Sequence, residues 1–208
     1  MFNPDLDALP ENAFPRLARL IEGAAPGGNG PPILMYLGEP QHPFPAFVSE
    51  ILQANSADFG KYPPTQGSDG FRGAVSAWLG RRFALGRHAA DPARHILPLN
   101  GTREGLFSIA FVVTPRLKAG GRPAVLMPNP FYQCYAGAAL SAGAEPVYLD
   151  ATSGSGFLPD LDALTPQLLA RTALFYLCSP ANPQGAVADL GYLKRLIGLA
   201  REYDFVLA

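Results

Sequence analysis

Length, composition and charge limit this chain to ordinary globular proteins. Its 208 residues are 48% hydrophobic and 16% charged, so it can bury a core and is neither disordered nor fibrous. Its 16 basic and 17 acidic residues give a net charge of -1, and no basic stripe is present, which argues against nucleic-acid binding.

The first third of the chain mixes turn-rich segments with helical patterns. Residues up to Gly30 predict an arm with one short helix, followed by a glycine-rich hinge. A short strand is predicted over residues 33–37. Apolar spacing then predicts one helix around residues 47–52 and another over residues 69–85.

Beyond residue 96, short apolar runs alternate with helical patterns. This alternation predicts right-handed crossovers and an α/β fold, in which a mainly parallel sheet carries helices on both faces as three layers. Because the chain stops inside an apolar strand, we expect an incomplete sheet and a truncated chain. The predicted strands are 96–99, 124–127, 146–149, 172–178 and 205–208, the helices are 102–113, 131–142, 161–169 and 190–203, and residues 154–156 are a loop.

Three strand ends carry residues suited to binding a small molecule, namely residues 100–104, 128–132 and 179–185. In a parallel sheet these ends meet at one edge, where ligands bind. Asn182 lies next to Pro183 and two residues after Pro180. Such neighbours restrict the backbone, so the side-chain amide of Asn182 is expected to point in one fixed direction. The alternative interpretation is an ordinary proline-rich loop.

The other two strand ends suit a phosphate and a planar ring. The turn at Gly101 opens a helix whose free N–H groups and dipole favour an anion, although Thr102 could instead be an ordinary N-cap. Tyr132 could present its ring to a planar ligand, or it could join Phe131 and Tyr135 as a core or interface aromatic. Together the three ends indicate a phosphorylated aromatic cofactor.

Other binding motifs are absent from the sequence. No GxGxxG opens a helix, no P-loop is present, and His42, His88 and His95 are not spaced as metal ligands. Cys134 and Cys178 lack CxxC spacing and predict buried free thiols in a reducing compartment. The sequence contains no apolar run long enough to span a membrane and no secretory signal, so a cytoplasmic protein is predicted.

Four stretches together resemble the class I and II aminotransferases, the fold-type-I enzymes that use pyridoxal 5'-phosphate. The resemblance extends from about residue 33 to the end. Within the family, residues 38–43, 100–104 and 128–133 are most similar to succinyldiaminopimelate aminotransferases of bacterial lysine biosynthesis. The four stretches are Leu37-Gly38-Glu39-Pro40 with Pro43, Tyr62-Pro63 with Gly67 and Phe71-Arg72, the turn Asn100 to Glu104, and Ser179 to Gly185.

The resemblance implies that different residues of a cofactor site bind different parts of the cofactor. Backbone N–H groups of Thr102 and Arg103 would bind the cofactor phosphate, Tyr132 would stack on its pyridine ring, and Asn182 would hydrogen-bond the ring's phenolic oxygen. These contacts hold the ring and tune its electronics.

The resemblance also implies a homodimer and two domains. Tyr62 would reach the cofactor phosphate of the other subunit, and Gly38 would leave room for the carboxylate of the amino-acid or 2-oxo-acid substrate. Residues 1–43 would form the arm and part of the small domain, and residues 44–208 the first part of the cofactor-binding large domain.

The sequence departs from the family in its catalytic groups. The family's aspartate for the pyridine nitrogen, its Schiff-base lysine and its substrate-binding arginine follow the strand at 205–208 and are absent, and Lys61, Lys118 and Lys194 match no such motif. No catalytic residue is therefore assigned, and we expect these 208 residues alone not to catalyse transamination. Two alternatives remain: a noncatalytic aminotransferase-like binding module, and a lyase of the same fold.

Overall fold

Two compact units make up the protein. The computed structural model describes residues 4–9, 11–25, 27–28, 30, 33, 35, 38–86 and 89–208. One unit combines the chain up to Ile21 with Leu99–Ala208, and the other consists of Glu22–Pro98. The domain boundary predicted between residues 43 and 44 concerns the complete protein and stays a prediction.

A parallel four-stranded sheet forms the centre of the first unit. Its strands are β1 (Ala124–Asn129), β2 (Glu145–Asp150), β3 (Thr172–Phe175) and β4 (Val206–Leu207), in the spatial order β2-β1-β3-β4. All three neighbouring pairs are parallel. The α/β fold with a parallel sheet is therefore confirmed.

The described residues form seven α-helices in the two units, and most lie where apolar spacing predicts them. Short 3-10 helices occur at Pro4–Ala8, Ser56–Gly60, Ser153–Ser155 and Leu161–Ala163. No helix among the described residues is both long and apolar enough to cross a bilayer. The α-helices are α1 (Ala13–Leu20), α2 (Ala46–Ala54), α3 (Asp69–Phe83), α4 (Thr102–Val113), α5 (Gln133–Ser141), α6 (Pro166–Arg171) and α7 (Leu190–Glu202).

Each face of the sheet has its own apolar core, because successive side chains of a strand point to opposite faces. Val125 and Met127 of β1 pack with buried residues of α4 and α5. Ala124 and Leu126 pack on the other face with Leu169 of α6 and Leu196 of α7. Helices on both faces give the predicted three layers.

The N-terminal arm packs against the rest of the first unit, to which it belongs. Asp5 forms a 3.3 Å ion pair with Arg122, whose guanidinium also donates to the backbone oxygens of Gly143 and Ala144. The side chain of Leu9 lies beside Gly137 of α5. These contacts hold the start of α1 against this unit.

Two of the predicted elements are wrong for physical reasons. Residues 96–99 form no strand, because no described strand lies alongside to supply hydrogen bonds. The helix predicted over 161–169 is broken. Pro166, which lacks an N–H and suits the first turn, starts the new helix α6, and the Thr165 side chain caps it by accepting from the Leu168 N–H at 3.2 Å.

Two further predictions match the structure only in part, and a third cannot be compared over most of its length. The strand predicted over 172–178 ends at Phe175, and the loop predicted at 154–156 overlaps the 3-10 helix Ser153–Ser155. The strand predicted over 33–37 lies mostly outside the described residues. Its two described members, Ile33 and Met35, are exposed and outside any strand.

Candidate functional site

An open cleft of about 800 Å³ lies at the carboxyl end of β1 in the first unit. Its walls come from that strand end, the start of α4, the turn that follows β3, and helix α1. The sequence-predicted residues Arg103, Tyr132 and Asn182 therefore line one cleft, together with residues that the sequence did not single out. The full lining is Glu11 to Phe14, Arg16, Arg103, Phe107, Asn129 to Cys134, and Asn182.

The start of α4 offers unpaired backbone donors. Gly101 is the N-cap and makes no side-chain hydrogen bond, so the interpretation of Thr102 as the N-cap is wrong, and Thr102 is the first helical residue. The N–H groups of Thr102 and Arg103 find no acceptor among the described residues. A helix start with free N–H groups and a positive dipole end attracts an anion.

Tyr132 and Arg103 form the polar wall of the cleft. The Arg103 Nε donates to the Tyr132 hydroxyl, and the guanidinium carbon lies 5.5 Å from the ring centroid. This hydrogen bond is the main cause of a raised pKa for the Arg103 guanidinium, which therefore keeps its positive charge.

The aromatic cluster divides between the cleft and the core. Tyr135 is buried and stacks on Tyr176 at 4.2 Å between ring centroids, and Phe131 packs at 4.8 Å against Tyr148. Tyr132 keeps 40% of its surface exposed and lines the cleft. The core interpretation therefore holds for Tyr135, whereas Tyr132 is available to a ligand.

Asn182 is held in a closed turn. The Ala181 N–H donates to the Ala186 oxygen at 2.7 Å, and the Gly185 N–H donates to the Ala181 oxygen at 2.6 Å. Gly185 has φ +74°, the left-handed conformation that favours glycine. The exposed Asn182 amide makes no hydrogen bond with a described residue, so the turn leaves it free for a ligand.

Asn129 and Cys134 also line the cleft, but neither had a signal in the sequence that assigned it a role. The Asn129 Nδ2 donates to the Asp150 Oδ1 at 2.8 Å, a contact made possible by the pairing of β1 with β2. Burial raises the pKa of the Cys134 thiol to about 11. This thiol is therefore protonated, and not nucleophilic, at neutral pH.

The raised pKa makes alkylation a direct test of Cys134. In a Cys178→Ser variant, which leaves Cys134 as the only cysteine, we expect iodoacetamide to react slowly at pH 8 and faster as the pH rises towards 11, because only the thiolate reacts. Mass spectrometry over a pH series measures this rate. A rate profile like that of a free thiol, with a midpoint near pH 8.5, would contradict the burial of the thiol.

Tyr62 and Gly38 belong to the second unit. Tyr62 lies in a loop after the 3-10 helix Ser56–Gly60 and is fully exposed. Gly38 is also exposed, and a Cβ added there would meet no described atom within 4 Å. Their predicted contacts with a second subunit and with substrate stay predictions.

Comparisons with known proteins agree with this architecture. The family model described as aminotransferase class I and II matches residues 35–208. An aminotransferase structure from Neisseria meningitidis superposes with a TM-score of 0.90 at 35% identity, over 99% of this chain and 51% of that one. Aminotransferase AspB of Helicobacter pylori gives a TM-score of 0.78 at 29% identity, over 93% and 49%.

Curated relatives carry one recurring name. An LL-diaminopimelate aminotransferase of Moorella thermoacetica is 32% identical over 203 residues, which are 96% of this chain and 49% of that protein. Another, of Syntrophobacter fumaroxidans, is 32% identical over 97% of this chain and 50% of that protein. The chain thus spans about half the length of the curated relatives that it matches.

Proposed function

The chain belongs to the class I and II aminotransferase family, and we propose that it is part of an enzyme that exchanges an amino group between an amino acid and a 2-oxo acid. The family implies dependence on pyridoxal 5'-phosphate. The observation that carries the proposal is the convergence of Arg103, Tyr132 and Asn182 on one cleft, because the sequence resemblance assigns these residues to three parts of one cofactor.

The donors around the cleft fit this cofactor. The unpaired N–H groups at the start of α4 suit its phosphate. The half-exposed Tyr132 ring suits its pyridine ring, and the free Asn182 amide suits its phenolic oxygen.

Each of these residues would have a defined task in the reaction. When bound, the cofactor supplies an electron sink for the substrate carbon that loses a proton. Thr102 and Arg103 would fix the phosphate, so that the ring cannot slide along the cleft. Tyr132 would hold the ring plane, and Asn182 would donate to the ring oxygen, which sets the charge that the ring carries.

The substrate class follows from the relatives. Those named above act, by their names, on LL-diaminopimelate, and the sequence itself most resembles succinyldiaminopimelate aminotransferases. We therefore propose a diaminopimelate-type amino donor, with 2-oxoglutarate as acceptor, in lysine biosynthesis. Such a role is a cytoplasmic one. We also propose a homodimer, in which Tyr62 reaches the cofactor phosphate of the other subunit.

The test is amino transfer by the complete gene product. With added pyridoxal phosphate, LL-diaminopimelate or its N-succinyl derivative, and 2-oxoglutarate, we expect one glutamate to form for each amino donor consumed. Comparing the two donors identifies the substrate. Cofactor binding without glutamate formation would instead support the noncatalytic module, and loss of a substituent without amino transfer would support a lyase.

Residues 1–208 alone provide the matching negative control. We expect them to form no glutamate, since the family's lysine motif is absent from this stretch. Glutamate formation by these residues would contradict the prediction that none of Lys61, Lys118 and Lys194 is a catalytic lysine.

A further inference from the structure

Helix α1 brings a cation to the cleft that no role above explains. Asn12 and Ala13 lie four and three residues before Arg16, so both are on the side of the helix that carries Arg16, and all three line the cleft. The Asn12 side chain caps the helix by accepting from the Phe14 N–H at 2.9 Å, which fixes where this face begins.

Among the described residues that line the cleft, Arg16 is the charged side chain that has neither a hydrogen-bond partner nor an ion-pair partner. Glu11 forms an ion pair with Arg19, on the same arm, and the Arg103 guanidinium is engaged by Tyr132. Arg16 has no ion pair and no side-chain hydrogen bond with any described residue. Its guanidinium is exposed and available to an anion that enters the cleft.

We propose that Arg16 binds the second, distal carboxylate of a dicarboxylic substrate and so selects for that class. This inference rests on the proposed function, which gives a donor with a carboxylate at each end. Among the described cleft residues, the backbone N–H of Arg103 is assigned to the cofactor phosphate and its guanidinium is held by Tyr132, so Arg16 is the cation that has no assigned partner. A guanidinium can bind a carboxylate through two parallel hydrogen bonds.

The arm is held in a way that supports this task. The ion pair of Asp5 with Arg122 and the packing of Leu9 beside Gly137 fix the chain just ahead of α1. Arg16 therefore reaches the cleft from the N-terminal arm, a segment far in sequence from the cofactor-binding strand ends. Specificity and cofactor binding thus use different parts of the chain.

Binding of unreactive acids tests Arg16 without requiring turnover. Pimelate and heptanoate have the same carbon chain and differ by one carboxylate, so the ratio of their dissociation constants measures the preference for the second carboxylate. With the complete gene product and calorimetry, we expect Arg16→Met to weaken pimelate binding about tenfold and to leave heptanoate binding unchanged. Arg16→Lys should restore part of the preference.

Two controls separate a charge effect from damage to the arm. The double variant Glu11→Gln with Arg19→Gln removes the neighbouring ion pair without changing net charge, and we expect it to keep the preference for pimelate. The wild-type preference should also shrink at high ionic strength, as for an exposed charge pair. An unchanged pimelate-to-heptanoate ratio in Arg16→Met, or no wild-type preference, would overturn the inference.

Kinetics distinguish this inference from the proposed function. LL-diaminopimelate and lysine also differ by one carboxylate, so Arg16→Met should lower kcat/KM about tenfold for the former and leave it unchanged for the latter. If Arg16→Met transfers amino groups with the same ratio of the two kcat/KM values as the wild type, only the role of Arg16 is contradicted. Absence of amino transfer would sink the proposed function and leave the pimelate result to decide on Arg16.

Discussion

Replacing Tyr176 by alanine is expected to lower the free energy of unfolding by about 3–5 kcal/mol. Tyr176 is fully buried where the chain leaves β3, stacks on Tyr135 of α5, and donates its hydroxyl to the Leu106 oxygen of α4 at 2.5 Å. One side chain thus joins the sheet to both helices that flank the cleft. Urea unfolding followed by far-ultraviolet circular dichroism measures the change.

The Tyr176→Phe variant separates the ring from the hydroxyl. We expect it to cost only about 1–2 kcal/mol, because the ring still fills its space and only the hydrogen bond to Leu106 is lost. Equal costs for the alanine and phenylalanine variants would contradict the packing role of the ring.

The wild type and the Tyr176→Phe variant should differ in stability at alkaline pH. Burial raises the pKa of Tyr176 above its ordinary value, and that of Tyr135 to about 12. Above pH 10 the unfolded chain releases these protons while the folded chain retains them, so stability falls as the pH rises further. Because Tyr176→Phe removes one such group, its stability should fall less steeply between pH 10 and 12. Identical slopes would contradict the burial of this hydroxyl.

Replacing Asn182 by alanine is expected to weaken pyridoxal phosphate binding about 10- to 100-fold in the complete gene product, without destabilising the fold. The free amide is assigned to the cofactor's phenolic oxygen, and a hydrogen bond to a charged group contributes about 1.5–3 kcal/mol. The side chain is exposed and makes no hydrogen bond with any residue that the structure describes, so stability should change by less than about 0.5 kcal/mol. Equilibrium dialysis measures the affinity.

Asn129→Ala is the matched control for this prediction. Asn129 lines the same cleft, but its amide already donates to Asp150, so its loss should affect the cofactor less than the loss of Asn182. If both variants lower affinity equally, general disturbance of the cleft explains the result. If Asn182→Ala binds the cofactor as the wild type does, Asn182 returns to the interpretation of an ordinary loop residue.

The sequence predicts elements best where a local pattern alone determines them. Helix α3 and strand β1 follow from apolar spacing and from a short apolar run, and both occur where expected. The segment 96–99 has an equally apolar pattern but forms no strand, since strand formation depends on a neighbour that local sequence does not reveal.

The site shows the same limit. Asn182 and Arg103 lie in turns with recognisable glycine and proline signals, and the structure brings both to one cleft. Arg16 lies on an amphipathic helix among other charged residues, so nothing in its local sequence separates a cleft residue from a solvated one. Only the packing of the arm on α5, about 120 residues along the chain, gives Arg16 its position.

The packing of the arm also sets an order of events during synthesis. Asp5 leaves the ribosome 117 residues before its partner Arg122, so at about 5–20 residues per second the arm waits roughly 6 to 23 s for its docking surface. The intervening unit, Glu22–Pro98, is complete by then. In a nascent chain, protease protection of the arm should therefore arise only after α5 has emerged.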